Sequence, residues 1–186
     1  MAMDDEQFAS LPRDLAEETA DLVAALSRPS PAQWALATPA EGSNIHDQVV
    51  HLAYFDDLAT LGFTQPEAFT AAVDALLATG RDWIDQINHT SALLDPEATL
   101  RWFTESRAAL SRVFAEVGPG ARSQWFGPSM SAASSATARL METWAHGQDI
   151  TAGQWLQIAQ AFAGTTGGGR RPGQFTGQFT EDESSP

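Results

Sequence analysis

SAASSATARLMETWAHGQDI, residues Ser131 to Ile150, is the stretch on which the fold turns. Its Ala and Ser residues suit a helix that packs close to its neighbours, and no alternating pattern competes for a strand. On that helix Glu142 and His146 lie four positions apart beside Trp144. Residues at this spacing share a face with Cβ atoms about 5–6 Å apart, so a carboxylate and an imidazole converge on one point. Amphipathic packing alone asks for neither side chain.

Working outward, the other segments are helical too. Leu11, Leu15, Leu22 and Leu26 form a stripe over Leu11 to Ser27 that ends before the turn-rich RPSPAQW. Asn44 caps a second helix, with Asp47 in its first turn, His51 in its middle and Gly62 at its end. Pro66 opens a third over PEAFTAAVDALLATGRDWIDQINH, and Asp95 with Pro96 starts a fourth that Gly118-Pro119-Gly120 stops. TAGQWLQIAQAFAG either extends or follows the last helix. The expectation is an all-α, antiparallel four-helix bundle with an additional short helix over residues 8–163, and a disordered Gly-rich, acidic tail over 164–186.

Composition narrows the function. A chain of 186 residues with 43% hydrophobic content buries the core of one domain. The net charge of −14, with no basic run, repels a phosphate backbone and argues against nucleic acid. No apolar stretch reaches the roughly eighteen residues of a membrane span, and the acidic MAMDDEQF is no signal peptide, so a soluble, cytoplasmic protein is expected. There is no cysteine, which removes disulfides, thiolate ligands and any protein-borne thiol nucleophile.

His51, in the apolar context VVHLAYF, points toward the core, where an unpaired imidazole is costly. Brought against Glu142 and His146, it completes a set of two histidines and one carboxylate that suits a catalytic zinc ion with a free coordination position. The competing reading is plain: Arg139, Glu142, His146 and Asp149 recur at three- and four-residue intervals, as a solvated row of weak ion pairs also does. Other candidates are weaker. His46 sits in a first helical turn and is expected to face solvent; His89 is explained by a helix end; the Ser-rich segment lacks a nucleophile elbow; Trp125 and Phe126 either cover a pocket mouth or close the core.

DQVVHLAYFD and WFGPSMSAASSATARLMETWAHGQD, with the spacing between them, resemble the metal-binding bundle of the DinB-like superfamily, in the branch that contains mycothiol-dependent maleylpyruvate isomerase. The likeness runs over most of residues 8–150. It implies a divalent metal, usually Zn2+, on His51, Glu142 and His146, and an external small thiol of the mycothiol type. Partners would be that thiol and an electrophilic substrate. Deprotonated at the metal, the thiol would add to an activated double bond, permit rotation and leave, or would act in S-transfer. Arg139 is a candidate catalytic residue that would hold a carboxylate, in competition with an ion pair to Glu142. Longer relatives continue into a second domain where this chain has its Gly-rich tail.

Three functions follow as expectations: a metal- and thiol-dependent isomerase or transferase, a non-enzymatic or stress-associated metal-binding bundle, and a metal-free interaction module. A bundle with apolar outer faces is also compatible with a homodimer.

Overall fold

The computed structural model describes residues 4–80, 86–88 and 91–166, with side chains to residue 157. In chain order it contains α1 (Asp5–Leu26), a 3-10 turn (Pro31–Ala35), α2 (Ile45–Thr64), α3 (Pro66–Leu77), α4 (Pro96–Glu116), β1 (Arg122–Ser123), β2 (Met130–Ser131) and α5 (Ala132–Thr166). The all-α expectation is met.

The helix starts follow the capping chemistry. Asp4 and Gln7 form a reciprocal capping box on α1, Asn44 and Asp47 do the same on α2, and Asp95 accepts from the Ala98 amide at 2.7 Å on α4. Several bounds differ from those read off the sequence. α1 begins earlier than Leu11 and carries Pro12 inside it; buried Phe8 anchors the extra turns against the core, which offsets the lost backbone bond. α3 stops at Leu77 instead of running to His89, because Gly80 takes φ of 107° and breaks the helix in the left-handed manner of a C-terminal cap. His89 itself lies outside the described residues. TAGQWLQIAQAFAG extends α5, a single helix through Gly147 and Gly153; residues 167–186, most of the expected tail, lie outside the described residues.

Gly62 lies inside α2, not at its end. An added Cβ there would come 2.5 Å from the Gln124 carbonyl oxygen and 2.5 Å from Ser123 Oγ, so the glycine allows the β1 segment to dock on the helix. The β1–β2 pairing, Arg122 with Ser131 and Ser123 with Met130, is two residues long. Such a short ladder leaves no alternation in the sequence.

Two apolar clusters each draw on all four long helices. One joins Leu22 and Leu26 of α1, Val49 and Leu52 of α2, Phe103 of α4 and Ile150 of α5. The other joins Phe8 and Leu15, Ala59, Leu110 and Phe114, and Ala132 and Ala136. The small residues of Ser131–Ile150 thus do what their size suggests: Ala132 and Ala136 are fully buried and let α5 approach its neighbours. Between the clusters lies a polar layer, and the site is at its edge.

Candidate metal centre

α2 presents His51 and α5 presents Glu142 and His146 across the same groove. His51 Nε2 is 3.0 Å from Glu142 Oε2, His146 Nε2 is 4.0 Å from the same oxygen, and the two imidazole centroids are 4.6 Å apart. One ligand atom from each residue lies within 4.8 Å of the others. Two imidazoles and a carboxylate at this spacing fit a divalent ion of the zinc type, with ordinary adjustment of side chains to bond length. Trp144, between the two ligand positions, points outward and is exposed.

The solvated-row reading does not describe α5. Arg139 is 2% exposed and the His146 side chain 22%. Arg139 turns inward: its Nη2 is 2.9 Å from Glu142 Oε2 and its Nη1 is 3.7 Å from Asp56 Oδ1, while its guanidinium lies over the Phe55 ring. The ion pair with Glu142 that competes with a substrate role is therefore formed. Asp56, wholly buried, also accepts from Arg107 Nε at 2.6 Å, and Arg107 Nη1 donates to Thr19 at 3.0 Å and Thr143 at 2.9 Å. A continuous polar layer thus runs from α1 through α4 to the site.

His146 has a partner of its own, Gln48, whose Oε1 lies against Nδ1. His46 does not face solvent as expected. It is half-buried, and its Nε2 lies 2.9 Å from Thr99 Oγ1, a fully buried hydroxyl that needs a partner. Trp125 and Phe126 pack on Phe55 and Phe69, and Phe55 in turn lies 4.5 Å from the His51 ring, so these aromatics back the site. A small cavity of about 40 Å³ opens beside His51 and His146, lined also by Ser43, Asp47, Gln48 and Asn88. Gln48, Asp56 and Arg107 carry no motif. Their one signal in the sequence is a polar group set among apolar neighbours at helical spacing.

Electrostatics hold the Glu142 carboxyl ionised and the His146 imidazole neutral near pH 7. Burial alone would raise the Glu142 carboxyl, but the hydrogen bond from His51 and the charges of Arg139, His51 and His146 outweigh it and bring it down to about 2. Burial brings His146 down to about 4, with His51 and Arg139 acting in the same sense and Glu142 against them. Both groups sit below their unfolded values of 4.5 and 6.5, so in each case the unfolded chain binds the proton first as pH falls. Chelator-treated protein is therefore expected to lose stability as pH drops from 6.5 toward 4 through His146, on the order of 2–3 kcal/mol. Glu142 adds a further loss from 4.5 toward 2. Urea unfolding at pH 7, 5 and 4 checks this, and His146→Gln should flatten the upper window.

A sequence model of the mycothiol maleylpyruvate isomerase N-terminal domain family matches residues 13–151. Two uncharacterized proteins of Mycobacterium tuberculosis, from strains CDC 1551 / Oshkosh and ATCC 25618 / H37Rv, are each 38% identical over 137 residues, 74% of this chain and 53% of theirs. The chain thus spans about half the length of these relatives. Among solved structures, the mycothiol-dependent maleylpyruvate isomerase and a histidine-to-alanine mutant of it superpose with TM-scores of 0.56 and 0.62 at 18% and 17% identity. Both matches cover 78% of this chain and 61% of the solved one, and they show a shared fold. No described helix is long and apolar enough to cross a membrane.

Proposed function

Because the chain belongs to the mycothiol maleylpyruvate isomerase N-terminal domain family, we propose that it binds a divalent metal, zinc by ligand type, on His51, Glu142 and His146, and uses a mycothiol-type thiol for isomerisation or S-transfer in the cytoplasm. The observation that carries this reading is the meeting of the three ligand groups from two helices within 4.8 Å. Held by His51, Glu142 and His146, such an ion would supply a Lewis acid that lowers the pKa of a thiol placed against it.

The protein's own residues do the rest. Glu142 arrives ionised, and it can only accept, so the proton shared with His51 resides on His51 Nε2 and has to leave that nitrogen before it can act as a donor. His146 stays neutral down to about pH 4 and keeps a lone pair free. Arg139 holds Glu142 from behind and is itself held by Asp56. The Phe55, Trp125 and Phe126 rings close one side against water. With no cysteine in the chain, the sulfur comes from the cosubstrate, which adds to the substrate double bond, permits rotation about the resulting single bond and is expelled unchanged.

The test is cis-to-trans conversion of maleylpyruvate by zinc-loaded protein, with and without mycothiol, followed by absorbance. Turnover that needs both zinc and thiol is expected, with loss of at least about 100-fold in Glu142→Ala. Zinc binding with neither turnover nor a lowered thiol pKa would replace this reading with the non-enzymatic metal-binding bundle.

A further inference from the structure

His146 has two nitrogens and two competing partners. Glu142 Oε2 lies 4.0 Å from Nε2, and a carboxylate oxygen on that side favours a hydrogen on that nitrogen. A proton on Nε2 would disable His146 as a ligand through that atom. Something has to hold the proton on Nδ1 instead.

The loop before α2 supplies a chain of hydrogen bonds with a fixed direction. The Ser43 carbonyl oxygen can only accept, and Thr38 Oγ1 donates to it at 3.0 Å. With its hydrogen committed, Thr38 Oγ1 is an acceptor for Gln48 Nε2 at 3.1 Å. The Gln48 amide is thereby oriented with Oε1 toward His146, and Oε1 can only accept, so Nδ1 carries the hydrogen. Gln48 is 3% exposed, and an amide so buried has to find its partners within the protein. The anchor is itself pinned: the Thr38 amide also donates to Ser43 at 3.0 Å, beside the Ala37–Asn44 bridge, with Gly42 at φ of 77° making the turn.

We propose that Gln48 is a positioning residue which, clamped by Thr38 and the Ser43 carbonyl, fixes His146 in the Nδ1–H tautomer and so presents Nε2 as a ready metal donor. The two histidines then differ: His146 is preset, whereas His51 has its Nε2 proton directed at Glu142 and must give it up. The metal half of this assignment rests on the proposed function above. The tautomer half does not.

The experiment uses the full chain, 15N-labelled and chelated, at pH 7.5, with long-range 1H–15N correlation of the histidine rings, followed by zinc titration against a chromophoric chelator. The parent is expected to show a protonated Nδ1 and an unprotonated Nε2 on His146. Gln48→Met should move the proton toward Nε2 and weaken zinc binding by about 10- to 100-fold, the usual cost of losing an outer partner of a ligating histidine. Gln48→Glu, which keeps an acceptor, should restore both. Thr38→Val, which frees the amide to rotate, should shift the tautomer without touching Gln48. If Gln48→Met does not fold, the Glu and Val variants decide the matter between them. A protonated Nε2 in the parent, or an unchanged tautomer in both Gln48→Met and Thr38→Val, overturns the assignment. A tautomer that shifts as expected in a protein that takes up no zinc sustains the role of Gln48 and rejects the metal.

Discussion

Asp56→Ala is expected to destabilise the protein by about 3–5 kcal/mol, the cost of stripping the counter-charge from a buried ion network. Asp56 is wholly buried between two arginines that are 3% and 2% exposed. Arg107 Nε reaches Oδ2 at 2.6 Å and Arg139 Nη1 faces Oδ1 at 3.7 Å. Burial already pulls the Arg107 guanidinium below its ordinary pKa, with Asp56 opposing that pull. Remove the carboxylate, and among the described residues Arg107 keeps the hydroxyls of Thr19 and Thr143 and the Phe103 ring below its guanidinium, while Arg139 keeps only Glu142 among its carboxylates. Neither hydroxyl neutralises a charge.

The loss should come from stranding the partners and not from a large net value of the pair, and this distinction can be measured. A buried ion pair replaced as a unit by apolar groups is often near neutral in stability. Asp56→Leu combined with Arg107→Met should therefore cost clearly less than the sum of the two single changes. Urea unfolding of the four proteins gives the coupling. A cost for Asp56→Ala below about 1 kcal/mol would mean that water reaches the network and that Asp56 does not brace Arg139 against Glu142.

That network marks the boundary of what the sequence makes legible. Periodicity and caps place α2 and α4 closely, because Asn44 and Asp95 act locally through amides three residues away. Spacing plus an apolar context marks His51, Glu142 and His146, since a histidine in VVHLAYF has to answer for its burial. Asp56 lies five residues from His51 in the same helix, yet its partners Arg107 and Arg139 come from two other helices, 51 and 83 residues away in the chain. The sign of a buried charge is legible in one sequence; the helix that answers it is not. Gln48 escapes sequence reading for a related reason. An amide three residues before a histidine carries no signature until α5 brings His146 against it. The end of α3 is hidden on a different ground, because apolar periodicity runs on past Leu77, whereas the helix closes there ahead of Gly80 with its φ of 107°.

The second large effect is expected in metal binding. Parent protein should take up about one equivalent of zinc, while His51→Ala, Glu142→Ala and His146→Ala should each weaken it by at least about 100-fold, more than the loss of an outer partner costs. Zinc in excess should also raise the melting temperature of the parent, by about 2.7 kcal/mol of added stability at a hundredfold excess over Kd, and leave the three variants nearly unmoved. Calorimetric titration with elemental analysis reads the first effect and thermal unfolding the second.

Glu142→Gln is the most informative of the set, because Glu142 has two rival occupations. In the protein as folded, its Oε2 accepts from His51 at 3.0 Å and from Arg139 at 2.9 Å, contacts that a purely structural ion pair would also make. Glutamine keeps the shape and an acceptor oxygen but gives up the charge. If the residue is a metal ligand, zinc affinity falls in Glu142→Gln nearly as far as in Glu142→Ala. If it serves only to pair Arg139 with His51, Glu142→Gln loses stability while any zinc bound through the histidines is held almost as in the parent. Since the three groups already lie within 4.8 Å of one another, binding requires little backbone movement. Affinity in this set should therefore follow the identity of the donor atoms more closely than the stability of the fold.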